Sequence, residues 1–163
     1  MTDPATARFV ADADVLAADL LVGGPSREAL DLARSHDWIE VLASDALLAD
    51  AHAVITETVG NSKTTAGQDL AEAWLARIED LVTTVSHPPG DHPALASALA
   101  GDARHVLSLD ETLLSPQTNA SFQGRIDVSI RTPEAFVSLF DPASMYELAV
   151  GGTYPGPDRD PRA

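Results

Sequence analysis

The 163-residue chain has no cysteine, a single lysine (Lys63), and no apolar run long enough to cross a bilayer. Each absence excludes something. Without thiols there is no disulfide, thiolate zinc site or cysteine nucleophile, so any metal must be held by oxygen or imidazole. A membrane span needs roughly 18 or more consecutive apolar residues, and none is expected here. Met1 to Leu20 carries acidic residues where a signal peptide would carry basic ones, so the expected compartment is cytoplasmic, with no membrane partner. There is no Gly-x-Ser-x-Gly elbow, which leaves a hydrolase triad without support.

What is abundant is negative charge. The 25 acidic residues stand against 10 basic ones, for a formal charge of −15. Crowded surface carboxylates repel one another at low salt, whereas molar salt shortens the screening length to about 3 Å and removes most of that cost. An Asp-rich, Ala-rich, lysine-poor chain therefore points to a cytoplasm of very high salt, as in halophilic archaea. The same acidity weighs against strong nonspecific binding of nucleic acid, because phosphate contacts rely on clustered Lys and Arg.

Length suits one globular unit, expected over residues 1–140, with 141–163 as a C-terminal tail whose Pro-rich end is disordered. Along the chain, strand-like and helical patterns alternate. Arg8 to Ala11 reads as a strand ending at Asp12, Val15 to Leu21 as a helix, and Ser26, an N-cap, opens a second helix to Ser35. Trp38 to Leu42 is a strand candidate, after which Ser44 caps a helix bearing Leu47, Leu48, Ala51, Val54 and Ile55 on one side. Leu70 to Val82 gives a fourth helix, Asp91 to Leu99 a short one, Arg104 to Leu109 a strand ending at Asp110, and Arg125 to Ile130 a last strand. Thr132-Pro133-Glu134 then starts a helix through Phe140. This alternation favours a parallel sheet covered on both faces, with Asp12 and Asp110 at the C-terminal strand edge where ligands collect.

Phe9-Val10-Ala11-Asp12-Ala13-Asp14 resembles the opening of PIN nuclease domains, a hydrophobic strand delivering an aspartate with a small polar residue two places on. The helix Ser44 to Ile55 is similar to the family's second acidic helix, although Asp50 stands where glutamate is usual and Glu57 is the substitute candidate. Asp91 to Ala98, followed by Ala103 to Leu114 with Ser108 and Asp110, resembles an aspartate-opened helix and a strand closing on Ser-x-Asp. Ile126 to Phe140 looks like the family's C-terminal end, so the likeness spans about residues 8 to 140.

That resemblance implies a PIN-like three-layer α/β/α sandwich around a central, mainly parallel sheet. It also implies a metal-dependent endoribonuclease with catalytic Asp12, Asp50, Asp91 and Asp110. Asp12, Asp91 and Asp110 would be the ligands of Mg²⁺ or Mn²⁺, hard ions that prefer oxygen. The implied partners are an RNA substrate, an antitoxin if the chain is a toxin rather than an RNA-processing enzyme, and a second copy of the chain through a surface on the fourth helix near Trp74. Trp38, Trp74, Phe136 and Phe140, at periodic apolar positions, are expected in the core. The alternative is a PIN-like domain with weakened catalysis that serves as a binding or assembly module. His87 and His92 flank Asp91, but imidazoles beside a proline loop are more often exposed than liganding.

Overall fold

The computed structural model describes residues 7–60, 65–88, 92–114 and 128–161. Strands β1 (Arg8–Ala11) and β2 (Glu40–Ala43) each bury their last three residues in succession, as expected of parallel strands covered on both faces. β4 (His105–Leu107) joins β1 on its other side, and the short strands β3 (Thr83–Thr84) and β5 (Ser129–Arg131) close the edges. The order is β3-β2-β1-β4-β5, with every pairing parallel. The chain therefore works outward from β1 to β3 and resumes on the opposite side of β1 with β4. The crevice between β1 and β4 is the point where the winding reverses.

Register assigns the faces. Phe9, Val41 and His105 lie in line on one face, and Val10, Leu42 and Val106 on the other. The Phe9 ring lies 5.1 Å from that of Phe136 on α7 (Pro133–Leu139), which packs on α2 (Gly24–Ser35) over that face. The second face carries α5 (Pro93–Gly101), which comes so close that a Cβ at Gly101 would stand 2.2 Å from Leu42 Cδ1. Helix α3 (Asp45–Gly60) packs on α5, α1 (Ala13–Leu21) and α4 (Thr65–Leu81), and the single turn α6 (Glu111–Leu114) lies beside β5. The protein is an α/β three-layer sandwich, as its alternating sequence pattern implies.

Local chemistry sets the helix starts. Ser44 Oγ accepts the Leu47 N–H at 3.2 Å to begin α3, and Thr132 Oγ1 accepts that of Ala135 at 3.1 Å, with Pro133 in the first turn of α7. Ser26 does not cap α2 as expected. The helix starts earlier because Gly23 and Gly24 take positive φ values of 79° and 57° and Pro25 fits the first turn, leaving Ser26 buried inside. β3 escaped the sequence reading because two exposed threonines directly after a helix carry neither alternation nor a turn signal. The strand expected over 125–130 is found at Ser129–Arg131, and residues 125–127 lie outside the described part.

The expected C-terminal tail is also corrected. Pro142–Ala149 forms α8, whose N-cap Asp141 accepts the Ala143 N–H at 3.3 Å. Beyond it the chain returns to the end of α2, where Tyr154 Oη meets His36 Nε2 at 2.6 Å and the Asp158 N–H donates to the Ser35 carbonyl at 2.7 Å. The Asp158 carboxylate accepts the Asp37 N–H at 2.6 Å, and Arg159 pairs with Asp37 at 2.6 Å. Tyr146 on α8 meets Trp38 edge-on, Tyr154 of the Pro-rich segment lies against His36 and Tyr146, and α2 gains a partner for its last carbonyl group.

The charge is unevenly spread. α3 carries no Lys or Arg at all, and α4 carries only Arg77, while Asp45, Asp50, Glu57, Asp69, Glu72, Glu79 and Asp80 are exposed along the two. Transfer from molar to about 0.1 M salt lengthens the Debye screening distance to about 10 Å and exposes these groups to mutual repulsion. The thermal midpoint should fall by at least several degrees in circular dichroism melts. Equal midpoints across that range would contradict a salt-adapted surface. Among the described residues no helix is long and apolar enough to cross a membrane.

Candidate functional site

The first step past β1 and β4 builds the site. The Asp12 N–H donates to the Leu107 carbonyl at 2.8 Å, extending the ladder by one residue, and Ser108 N–H donates to Arg131 at 3.0 Å on the other side. Both side chains are thus held at the C-terminal edge of adjacent strands. Asp12, 7% exposed, accepts the Ala13 N–H on Oδ1 at 2.8 Å as the N-cap of α1, where the helix dipole favours its charge. On Oδ2 it accepts the hydroxyl of the fully buried Ser108 at 2.9 Å, and Ser108 Oγ in turn accepts the Asp110 N–H at 3.0 Å. One hydroxyl therefore ties the two aspartates together.

Asp14 completes the arrangement. Its Oδ2 accepts the Leu109 N–H at 3.2 Å, whereas Oδ1 is buried with no hydrogen-bond partner among the described residues. A buried carboxylate oxygen without a donor is costly and calls for an occupant. Burial, then the Asp12 charge, then Asp110 raise the Asp14 carboxyl above its ordinary value of 3.8, against the lowering effect of the Val15 and Leu109 N–H groups. Three aspartates on two strand ends thus act on one another electrostatically, in oxygen-only surroundings suited to a hard divalent cation.

The raised Asp14 carboxyl has a pH consequence. Because its folded value lies above its unfolded value, the stability it contributes is complete below about pH 3.8 and is lost as pH rises through the folded value. In metal-free buffer at neutral pH, Asp14→Asn should therefore melt a few degrees higher than wild type, and the two should converge at pH 3. Added Mn²⁺ should stabilise wild type more than the variant, since only wild type keeps the full charge set. A lower midpoint for Asp14→Asn at neutral pH would show that repulsion is not the governing term.

The other sequence candidates fare unevenly. Asp50 and Glu57 are exposed on α3, make no hydrogen bond or ion pair among the described residues, and are not among the groups acting on Asp14. Asp50 stands five residues beyond Asp45 on α3, about 7.5 Å along the helix axis, and stays a candidate on sequence grounds alone. Asp91 lies outside the described residues. His87 spends Nδ1 on the Pro88 carbonyl at 2.9 Å and Nε2 on Ser44 Oγ at 2.8 Å, while His92 Nδ1 caps α5 through Ala94. Asp14 was noted only as a second polar position; its two-residue offset from a strand-end aspartate that caps a helix was the available signal. Among the described residues no three His, Asp or Glu side chains already stand at metal-holding distances, Asp12 and Asp110 being turned to Ser108, Ala13 and Thr112.

With that geometry in place, one family model matches residues 3–162, that of a family of unknown function (DUF7384). No curated protein and no solved structure matches the chain. This overturns the PIN resemblance, for no PIN family model matches. Aspartates after adjacent parallel strands, each followed by a helix, arise in open α/β sheets generally, so several weak motifs in order did not single out that family.

Proposed function

The chain belongs to DUF7384, a family of unknown function, and from its sheet-edge carboxylates we propose that it is a divalent-metal-dependent hydrolase of RNA phosphodiesters. The observation that carries this reading is the buried, partnerless Asp14 Oδ1 beside Asp12 and Asp110 at the reversal point of the sheet. Asp12, Asp14 and Asp110 would hold Mg²⁺ or Mn²⁺, with Asp91 the remaining sequence candidate. Bound there, such an ion polarises a phosphate oxygen and lowers the pKa of an attacking water. The chain supplies orientation. Ser108 fixes the Asp12 carboxylate and the Asp110 backbone at once, and the Leu109 N–H holds one oxygen of Asp14.

An antitoxin partner rested on the PIN resemblance alone and loses that support. Dimerisation through Trp74 loses its residue, because Trp74 is 5% exposed and donates to Asp19 within the same chain.

The test is manganese-dependent cleavage of a mixed RNA pool in high salt by wild type, Asp110→Asn and the exposed control Asp69→Asn, with DNA of the same length in parallel. Wild type and the control should cleave RNA, and Asp110→Asn should be slower by about tenfold or more, as loss of one ligand charge weakens the metal. Equal cleavage by wild type and Asp110→Asn would place the activity elsewhere. No cleavage by wild type would favour a non-catalytic binding or assembly module.

A further inference from the structure

The C-terminal end of α1, away from the carboxylate site, holds a second unusual arrangement. Asp19 is 3% exposed and is gripped by both ends of one guanidinium, with Arg34 Nη1 to Oδ1 at 2.7 Å and Nη2 to Oδ2 at 2.5 Å. The Trp74 indole N–H adds a third bond to Oδ2 at 2.9 Å. Arg27 lies alongside, donating to the Asp19 and Leu20 carbonyls at 2.9 and 3.3 Å and so covering the negative end of the helix. These groups, with Arg77 and Pro161, line a cleft of about 540 Å³.

In a chain of charge −15 with ten basic residues, three arginines face one cleft against a single lining carboxylate. That concentration opposes the charge of the molecule as a whole. Two of the three are held rigid, Arg34 by Asp19 and Asp31 and Arg27 by the α1 carbonyls. Both keep N–H groups free of hydrogen bonds among the described residues, Nη1 of Arg27 and Nε of Arg34. Arg77 is exposed and has no hydrogen bond or ion pair among the described residues. Guanidinium forks fixed in advance bind phosphate oxygens in pairs and lose little freedom in doing so.

We propose that this cleft is an anion site for a phosphate monoester of about mononucleotide size, with Arg27, Arg34 and Arg77 on the phosphate and Leu20 and Pro161 against the remainder. The volume falls within the roughly 300–1,000 Å³ of small-molecule sites. Asp19 lies seven residues beyond Asp12, about 10 Å along the helix axis, so the cleft is separate from the sheet-edge carboxylates. Its occupant is recognised by the dianionic phosphate, carried either by a free nucleotide or by the 5′ end of an RNA strand.

The test is calorimetric titration of the full chain in molar potassium chloride, using AMP, adenosine, and a short oligoribonucleotide with and without a 5′-phosphate. AMP should bind, adenosine should bind at least tenfold more weakly, and Arg77→Gln should weaken AMP by about tenfold, the worth of one charged hydrogen bond. Arg77 is exposed, so its loss should leave the melting midpoint unchanged, and Asp110→Asn should bind AMP like wild type. A 5′-phosphorylated strand that binds more tightly than AMP would make the strand end the occupant. AMP that binds beside a strand indifferent to its 5′-phosphate would make the free nucleotide the occupant, whereas no AMP binding at millimolar concentration, equal affinity for adenosine and AMP, AMP affinity unchanged in Arg77→Gln, or AMP binding lost in Asp110→Asn would each overturn the proposal.

Discussion

Asp12→Asn should reduce manganese-dependent RNA cleavage by at least about a hundredfold, the equivalent of roughly 2.7 kcal/mol of transition-state stabilisation. The expected loss exceeds that for Asp110→Asn because Asp12 is the buried member of the set and Asp110 the exposed one. Its two oxygens have different duties. Oδ1 accepts from Ala13 N–H, and an asparagine carbonyl can continue to do so. The amide nitrogen would then face Ser108 Oγ, which already accepts the Asp110 N–H, and the Ser108 hydrogen would lose its acceptor inside a fully buried position. A stranded buried donor costs about 1–3 kcal/mol, partly offset by the relief of repulsion on Asp14. Cleavage should thus fall steeply while the metal-free midpoint moves by only a few degrees. Initial rates and thermal melts on the same preparation read both, and an Asp12→Asn protein that cleaves within a few-fold of wild type would remove Asp12 from the metal site.

Asp19→Ala should be strongly destabilising, by about 3 kcal/mol, which urea titration with unchanged slope would report. Burial works against the Arg34 charge, and pairing with Asp19 followed by Asp31 outweighs it, leaving its pKa raised overall. Removing Asp19 takes away the two-pronged grip on that cation, leaving it Asp31 alone, and at the same time strands the buried Trp74 N–H. Because the Arg34 side chain keeps 19% of its exposure, water can recover part of the loss, which places the figure at the lower end for a broken buried pair. Replacing Arg34 as well with methionine should recover part of the stability, since the pair together is worth less than either partner alone costs to remove. If Asp19→Ala melted within a degree of wild type, the buried pair would have no structural weight.

How far each feature could be read beforehand follows from how local its cause is. β1, α3 and α7 were legible because Arg8 to Ala11 is followed at once by a helix cap, Ser44 caps from its own sequence neighbourhood, and Thr132-Pro133 is a start signal complete within two residues. Asp12 and Asp110 could be placed at one sheet edge because a strand in an open parallel sheet delivers the residue after it to that edge whatever the partner strands are. Asp50 could not be placed in the same way, because an acidic residue on a helix has the same local pattern whether it faces a site or solvent. The family assignment went wrong for a related reason, since strand-end aspartates describe a class of sheet rather than one lineage.

The sequence by itself determined the alternation of strands and helices, the absence of thiolate from any metal site and the acidic surface. All of these depend on composition or on residues within a few positions of one another. Only the tertiary structure decided that β4 lies beside β1, so that Ser108 reaches across 96 positions to Asp12 and the Leu109 N–H across 95 to Asp14. It likewise decided that Trp74 is spent on Asp19 rather than on a partner, and that Tyr154 closes on His36 across 118 positions. Pairings over such separations are chosen by the burial and hydrogen bonding of whole elements, in which every side chain competes at once. No short window of residues carries the outcome of that competition.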